Sequence, residues 1–131
     1  MSYRTPATHD IAANTSRTGL GAGAEVVYQA QQPCYVDRLV FQSLGTNAAT
    51  VARVFVSGLN PQEGNYLNRE VTLAITAASE VAGLAATELT LDIALAAGQR
   101  IIVTVGTAPT AGWDVSAVVL SPESLWTYKS K

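Results

Sequence analysis

Apolar and polar residues alternate along most of this chain with a period of two. Val71, Leu73 and Ile75 alternate with Thr72, Ala74 and Thr76, and Leu89, Leu91, Ile93 and Leu95 alternate with Thr90, Asp92, Ala94 and Ala96. Successive side chains of a strand point to opposite faces, so this spacing predicts half-buried β-strands. The predicted strands are Val26–Tyr28, Tyr35–Ser43, Thr50–Ser57, Glu70–Thr76, Glu88–Leu95, Arg100–Val105 and Trp113–Leu120. Tyr35–Ser43 is apolar on both faces, with Tyr35, Leu39 and Phe41 on one and Val36 and Val40 on the other. Gly45-Thr46-Asn47 is a turn and predicts an antiparallel hairpin between that strand and Thr50–Ser57. Residues 58–68 form the longest polar interruption, with turn signals at Asn60-Pro61 and Gly64-Asn65. Residues 77–86 are rich in Ala, but Gly83 interrupts them and no apolar stripe has helical spacing.

Strands recurring about every ten residues, without helices long enough to cross between parallel neighbours, predict an all-β fold. The expected architecture is an antiparallel β-sandwich or jelly roll of about seven to eight strands, with an extended N-terminal arm and a short C-terminal tail. Its divisions are an arm at 1–24, a sandwich at 25–122 and a tail at 123–131. The arm holds Pro6, Asn14, Thr15, Ser16, Thr18 and three glycines, with Tyr3, Ile11 and Leu20 as its few bulky apolar residues. Such a segment cannot bury enough surface to offset its own ordering entropy. It is either a flexible arm or a strand ordered against a neighbour. The tail carries Leu125, Trp126 and Tyr128, which are costly to leave in water.

Composition narrows the function classes. Charged residues make up 14% of the chain and hydrophobic ones 48%, where an ordinary soluble protein carries about 25% charge. A surface of Ala, Thr, Ser, Gly, Asn and Gln suits lasting contact with other protein. The net charge is -2, and Arg4, Arg17, Arg38, Arg53, Arg69 and Arg100 are scattered. Phosphate binding needs several cations on one face, so nucleic acid is not an expected partner. Acidic residues are equally dispersed and give no calcium-loop signature. No apolar run approaches the ~20 residues of a membrane helix, and no secretory leader is expected from the first ten residues. The sequon Asn14-Thr15-Ser16 is therefore read as accidental.

Catalytic chemistry has little to build on. Cys34 is the only cysteine and is expected to behave as a small buried hydrophobe at a strand start. His9 is the only histidine and lies in the arm, so neither a nucleophile–base pair nor a metal site has supporting residues at a useful spacing. Gly19–Gly23 lacks the Lys-Ser/Thr and the flanking strand and helix of a phosphate loop. Most carboxylates flank strand ends or turns, while Asp37 and Asp92 lie within strands. Arg38 should point away from Asp37, which predicts ion pairs across strands instead. Trp113, after Gly112 at a strand start, is expected to pack in or at the rim of the core. Tyr66, in the long loop, is the best-placed ring for a sugar face. We expect no enzyme activity and no cofactor or metal.

The run Gly45-Thr46-Asn47-Ala48-Ala49-Thr50-Val51-Ala52-Arg53-Val54-Phe55-Val56 resembles a recurrent run in small proteins of tailed bacteriophages and prophages. Glu70–Leu73, Leu95–Ile101, Val103–Ala108 and Ala111-Gly112-Trp113 fit the same pattern, which spans most of residues 35–120. The similarity lies in strands and turns and transfers no active site. It implies a virion structural protein, assembled in the host bacterial cytoplasm and residing in the particle. The leading expectation is a capsid decoration or cement protein that binds the major capsid protein as a homo-oligomer, such as a trimer. A tail, fibre or head–tail junction component, and a carbohydrate-binding adhesion module, are the alternatives. Expected partner-binding residues are Tyr3, Ile11, Leu20, Trp126 and Tyr128, with edge strands and termini as the natural contact elements.

Overall fold

The computed structural model describes residues 2–5, 25–58, 65–84, 86–106 and 111–120. Among them are eight strands: β1 (Ser2–Arg4), β2 (Glu25–Gln29), β3 (Cys34–Ser43), β4 (Thr50–Ser57), β5 (Asn65–Leu73), β6 (Ala86–Leu95), β7 (Arg100–Val105) and β8 (Trp113–Leu120). They form two four-stranded antiparallel sheets, ordered β1-β8-β3-β6 and β2-β7-β4-β5. The pairing is nested: β1 with β8, β2 with β7, β3 with β6 and β4 with β5. Pairs β3–β8 and β4–β7 then stitch these ribbons into sheets. A long antiparallel ribbon rolled up this way is a jelly roll.

The core lies between the sheets and is closely filled. Val36, Leu39, Phe41, Leu91, Trp113 and Val115 enter from one sheet, and Val54, Val56, Leu73, Ile101 and Val103 from the other. On β6 the predicted alternation holds, with Leu91 and Leu95 in the core and Leu89 and Ile93 packed against it. Cutting a fully buried leucine back to alanine leaves a cavity as well as losing apolar burial. We expect Leu91→Ala to cost about 2–4 kcal/mol, measured as a shift in urea midpoint at unchanged slope.

β3 is apolar on both faces because its alternation switches partway along. Val36 lies opposite Val119 and Arg38 opposite Val118, so Asp37 is an extra residue relative to β8. The core-facing set changes there from Cys34 and Val36 to Leu39 and Phe41. On the other side Val36 faces Ile93 and Arg38 faces Thr90, so Leu91 and Asp92 together stand against Asp37. Asp92 takes a φ of 56°, a left-handed conformation that aspartate tolerates better than most residues. The irregularity also lets Asp37 pair with its own neighbour, Arg38, whose Nε lies 3.4 Å from Glu88 on β6. Strict alternation across this step would have kept Asp37 and Arg38 apart, and it fails.

Three other expectations change. β3 and β4 are not a hairpin, because they belong to different sheets and residues 44–49 cross between them. The fifth strand is Asn65–Leu73 instead of Glu70–Thr76. It is a sheet edge with one ladder partner, so polar Asn68 and Arg69 are tolerated within it, and Ile75 beyond its end is 74% exposed. Tyr66 accordingly lies in this strand and not in a loop. Within the predicted arm, Ser2–Arg4 pairs with β8, and buried Thr5 extends that pairing through Thr5 N–H to Ala117 O at 2.8 Å.

Candidate interaction surface

The two ends of the sandwich are each tied by one amide side chain. At one end Asn47 is buried, and its carboxamide makes four hydrogen bonds. Nδ2 donates to Ser43 Oγ at 3.1 Å and to Gly112 O at 3.0 Å, while Oδ1 accepts from the backbone N–H groups of Ala111 and Gly112, both at 2.9 Å. That is the full capacity of an amide side chain. Its backbone adds a reciprocal pair with Thr76, N–H to O at 3.1 Å and O from N–H at 3.0 Å. Asn47 thus joins the β3–β4 connection, the chain leaving β5 and the approach to β8. The backbone there is shaped for it. Gly112 sits at φ 101°, and a Cβ on Gly45 would lie 2.8 Å from the Cβ of Ala111.

Gln99 does the same at the other end. Its Nε2 donates to Ser57 O at 2.9 Å and its Oε1 accepts from Ala96 N at 2.8 Å. Ala30 N donates to Gln99 O at 2.9 Å, and Arg100 N donates to Ser57 Oγ at 2.8 Å. These bonds join the connections β2–β3, β4–β5 and β6–β7.

Large apolar side chains protrude at the Asn47 end. Leu44 is 45%, Ile75 74% and Val81 95% exposed. Leu44 N donates to Gly112 O at 3.1 Å, and Ala78 N donates to Thr46 Oγ1 at 3.0 Å, so both loops rest on the Asn47 base. At the opposite end Tyr66 is 53% exposed, near the start of β5. The outward face of the β1-β8-β3-β6 sheet mixes Arg38, Glu88, Thr90 and Asp114 with Val40 and Val118, and Ser116 on it accepts from Arg4 Nε at 2.6 Å. Hydrogen bonding to Asp37 pushes the Arg38 guanidinium further toward its charged form. On the other sheet Arg53 is buried and its Nε donates to Glu70 Oε1 at 3.0 Å.

The sheet edges are blunted. In the strand orders the edge strands are β1, β6, β2 and β5. β2 carries an extra residue at Val27, β5 at Asn68 and β6 at Leu91–Asp92, while β1 has only three residues. Bulges and short edges are the devices by which native sheets resist pairing with another chain. The edges therefore offer little of the regular ladder that strand addition requires.

Of the residues expected to bind partners, Tyr3 lies in β1 opposite Val119. Ile11, Leu20, Trp126 and Tyr128 fall outside the described residues, as does His9. Cys34 is buried at the start of β3 as expected, with Tyr28 Oη 3.7 Å from its Sγ. Burial pushes its thiol above the ordinary value, with the Tyr28 contact opposing, so it stays protonated at neutral pH. Trp113 is a core residue. Among the described residues no three His, Cys, Asp or Glu side chains gather as a metal-ligand set. Leu44, Ile75 and Val81 are not among the residues expected to bind partners. Ile75 reads as a continuation of the alternating strand, and nothing local marks where that strand stops.

No protein-family model matches the chain, and no curated protein matches it. Among solved structures, a chain from the structure of infectious bursal disease virus, Gx strain, is similar at a TM-score of 0.30 and 14% identity. The match covers 92% of this chain and 32% of that one, so the present chain spans about a third of its length.

Proposed function

We propose that this chain is a non-enzymatic structural protein of a bacteriophage particle: a decoration protein that binds the major capsid protein and stabilises the head. The observation that carries this reading is the strand order, since the nested double-sheet jelly roll is an architecture of viral capsid domains. Lectin domains and cupins share it. Here the space in which a barrel would hold a ligand is filled by Phe41, Leu91, Trp113 and Val54, all fully buried. Loops hydrogen-bonded at both ends and blunted edges suit a rigid module that must tile without uncontrolled pairing. The resemblance of residues 45–56 to phage proteins points the same way.

Attachment is assigned to apolar side chains, with Tyr3, Ile11, Leu20, Trp126 and Tyr128 as anchors, because the edges are poor strand acceptors. Apolar burial responds weakly to salt, whereas exposed charge contacts are screened over about 8 Å at physiological ionic strength. The test is to purify particles induced from the encoding genome, count copies and wash in high salt. Hundreds of copies that resist salt are expected. Absence from the particles overturns the reading, and a few to tens of copies moves the protein to a tail or junction. Exposed Tyr66 supports a second reading as a sugar-binding adhesion module. Specific elution by a saccharide would favour that reading over the first.

A further inference from the structure

The connection between β5 and β6 is the least anchored of those described. Residues 77–83 are all exposed, and Val81 reaches 95%. The one hydrogen bond from 77–84 to the rest of the described fold runs from Ala78 N to Thr46 Oγ1 at 3.0 Å. Val81 N donates to Ser79 Oγ at 3.1 Å, within the loop itself. The connections 30–33, 44–49 and 96–99 are instead bonded into the ends of the sandwich through Ala30, Asn47 and Gln99. A protease binds its substrate as several residues of extended backbone, so a cut needs a segment that leaves the fold cheaply. Exposed loops of small residues with few bonds open at the least cost.

We propose that residues 77–84 are a cleavage site for an endopeptidase with a small aliphatic specificity pocket, and that the cut chain stays folded. The segment holds no lysine, arginine or aromatic ring. Enzymes that select long cations or large rings have nothing to grip there, whereas Ala77, Ala78, Val81 and Ala82 fit an elastase-like pocket. Hydrolysis adds one water across a peptide C–N bond and leaves a carboxylate and an ammonium as new chain ends. Both form in solvent, so neither charge is buried. The cut separates β1–β5 from β6–β8. Ladders β1–β8, β2–β7, β3–β6, β3–β8 and β4–β7 all join the two pieces, and β4–β5 alone lies within one. The core is shared in the same way, with Phe41 and Val54 from the first piece and Leu91, Ile101 and Trp113 from the second. Neither piece closes a sandwich alone, and together they keep every ladder.

The test is brief digestion of the purified full chain with elastase under native conditions, read by mass spectrometry and gel filtration. A cut within 77–84 is expected, and the nicked protein should elute as one species that splits into two pieces only in denaturant. Val81→Lys gives a second readout, because it sets a tryptic bond at the exposed tip without touching the core. Trypsin should cut after position 81 at least about tenfold faster than after Arg53 or Arg100, whose strands have to open first. A chain left uncut in 77–84 by elastase, or a Val81→Lys variant cut no faster there than at the strand arginines, would overturn the proposal. Pieces that separate in buffer would overturn its second half. None of these readouts involves particles, so the cleavage site and the virion role can fail independently.

Discussion

Replacing Asn47 with alanine is expected to destabilise the fold by about 3–5 kcal/mol, although the change removes only a small polar side chain. The carboxamide makes four hydrogen bonds, each worth about 1 kcal/mol net in a typical case. Loss is uneven among the partners. Gly112 O keeps its bond from Leu44 N, and Ser43 Oγ keeps its contacts with Gly45 O and Thr76 Oγ1. The buried N–H of Gly112 loses its acceptor, and an unsatisfied buried donor adds about 1–3 kcal/mol. Small domains are stable by roughly 5–15 kcal/mol, so such a loss leaves the variant close to unfolding at ordinary temperature. Thr46→Ala in the same loop is the control. Its Oγ1 accepts one bond from exposed Ala78 N, which water can replace, and a cost below about 1 kcal/mol is expected. Urea unfolding of the two variants checks the pair. Similar small shifts would mean that water enters and that the amide does not hold the end together.

Asn47 also shows how far the sequence could be read. A break between two strands was legible at Gly45-Thr46-Asn47, but in place of a turn the chain only bends at Gly45 and Asn47 forms a bridge with Thr76. The direction in which the chain leaves that break was not legible. Two alternating strands joined by a Gly- and Asn-rich turn read as a hairpin, because alternation reports which residues face inward and is silent on which strand lies alongside. The deciding contacts come from Thr76, Ala111 and Gly112, far away in sequence, and they carry β4 over to the opposite sheet. The same limit applies at Asp37. A bulge costs one unpaired residue, and its signature in the sequence is only that β3 is apolar on both faces. Strands with two ladder neighbours, such as β4, β7 and β8, were read to the residue because burial on both sides enforces the pattern. The edge strand β5 was misplaced because one free side lets polar residues in.

Those misread places are also the ones that shape the candidate surface. If β5 had run on to Thr76, Ile75 would have been half-covered in a sheet. Its early end, where Thr76 turns to pair with Asn47, lifts Ile75 and the following loop into solvent. Bulges in the edge strands likewise remove the most general route by which a sandwich recruits another chain. The two effects act in one direction. Irregular edges leave less regular ladder free, and the early end of β5 leaves more apolar side chain exposed at the end of the roll.

The second large effect is expected at Trp113, where two substitutions should separate sharply. Trp113 is fully buried at the start of β8, and its indole Nε1 is buried with no hydrogen-bond partner among the described residues. Trp113→Ala empties the largest side-chain volume in the core and should cost about 3–5 kcal/mol. Trp113→Phe keeps an aromatic ring in the site and loses part of the volume, which by itself destabilises. It also removes a buried N–H that has no acceptor, a group that costs about 1–3 kcal/mol to bury. The two contributions oppose each other and are similar in size, so Trp113→Phe should fall within about 1 kcal/mol of the wild type. This is unusual for a core tryptophan, where the indole N–H ordinarily finds a partner and its loss adds to the lost volume. Denaturant midpoints for the three proteins decide the matter. A Trp113→Phe variant nearly as unstable as Trp113→Ala would show that the indole N–H is satisfied in solution by a bound water, and that this corner of the core is wet.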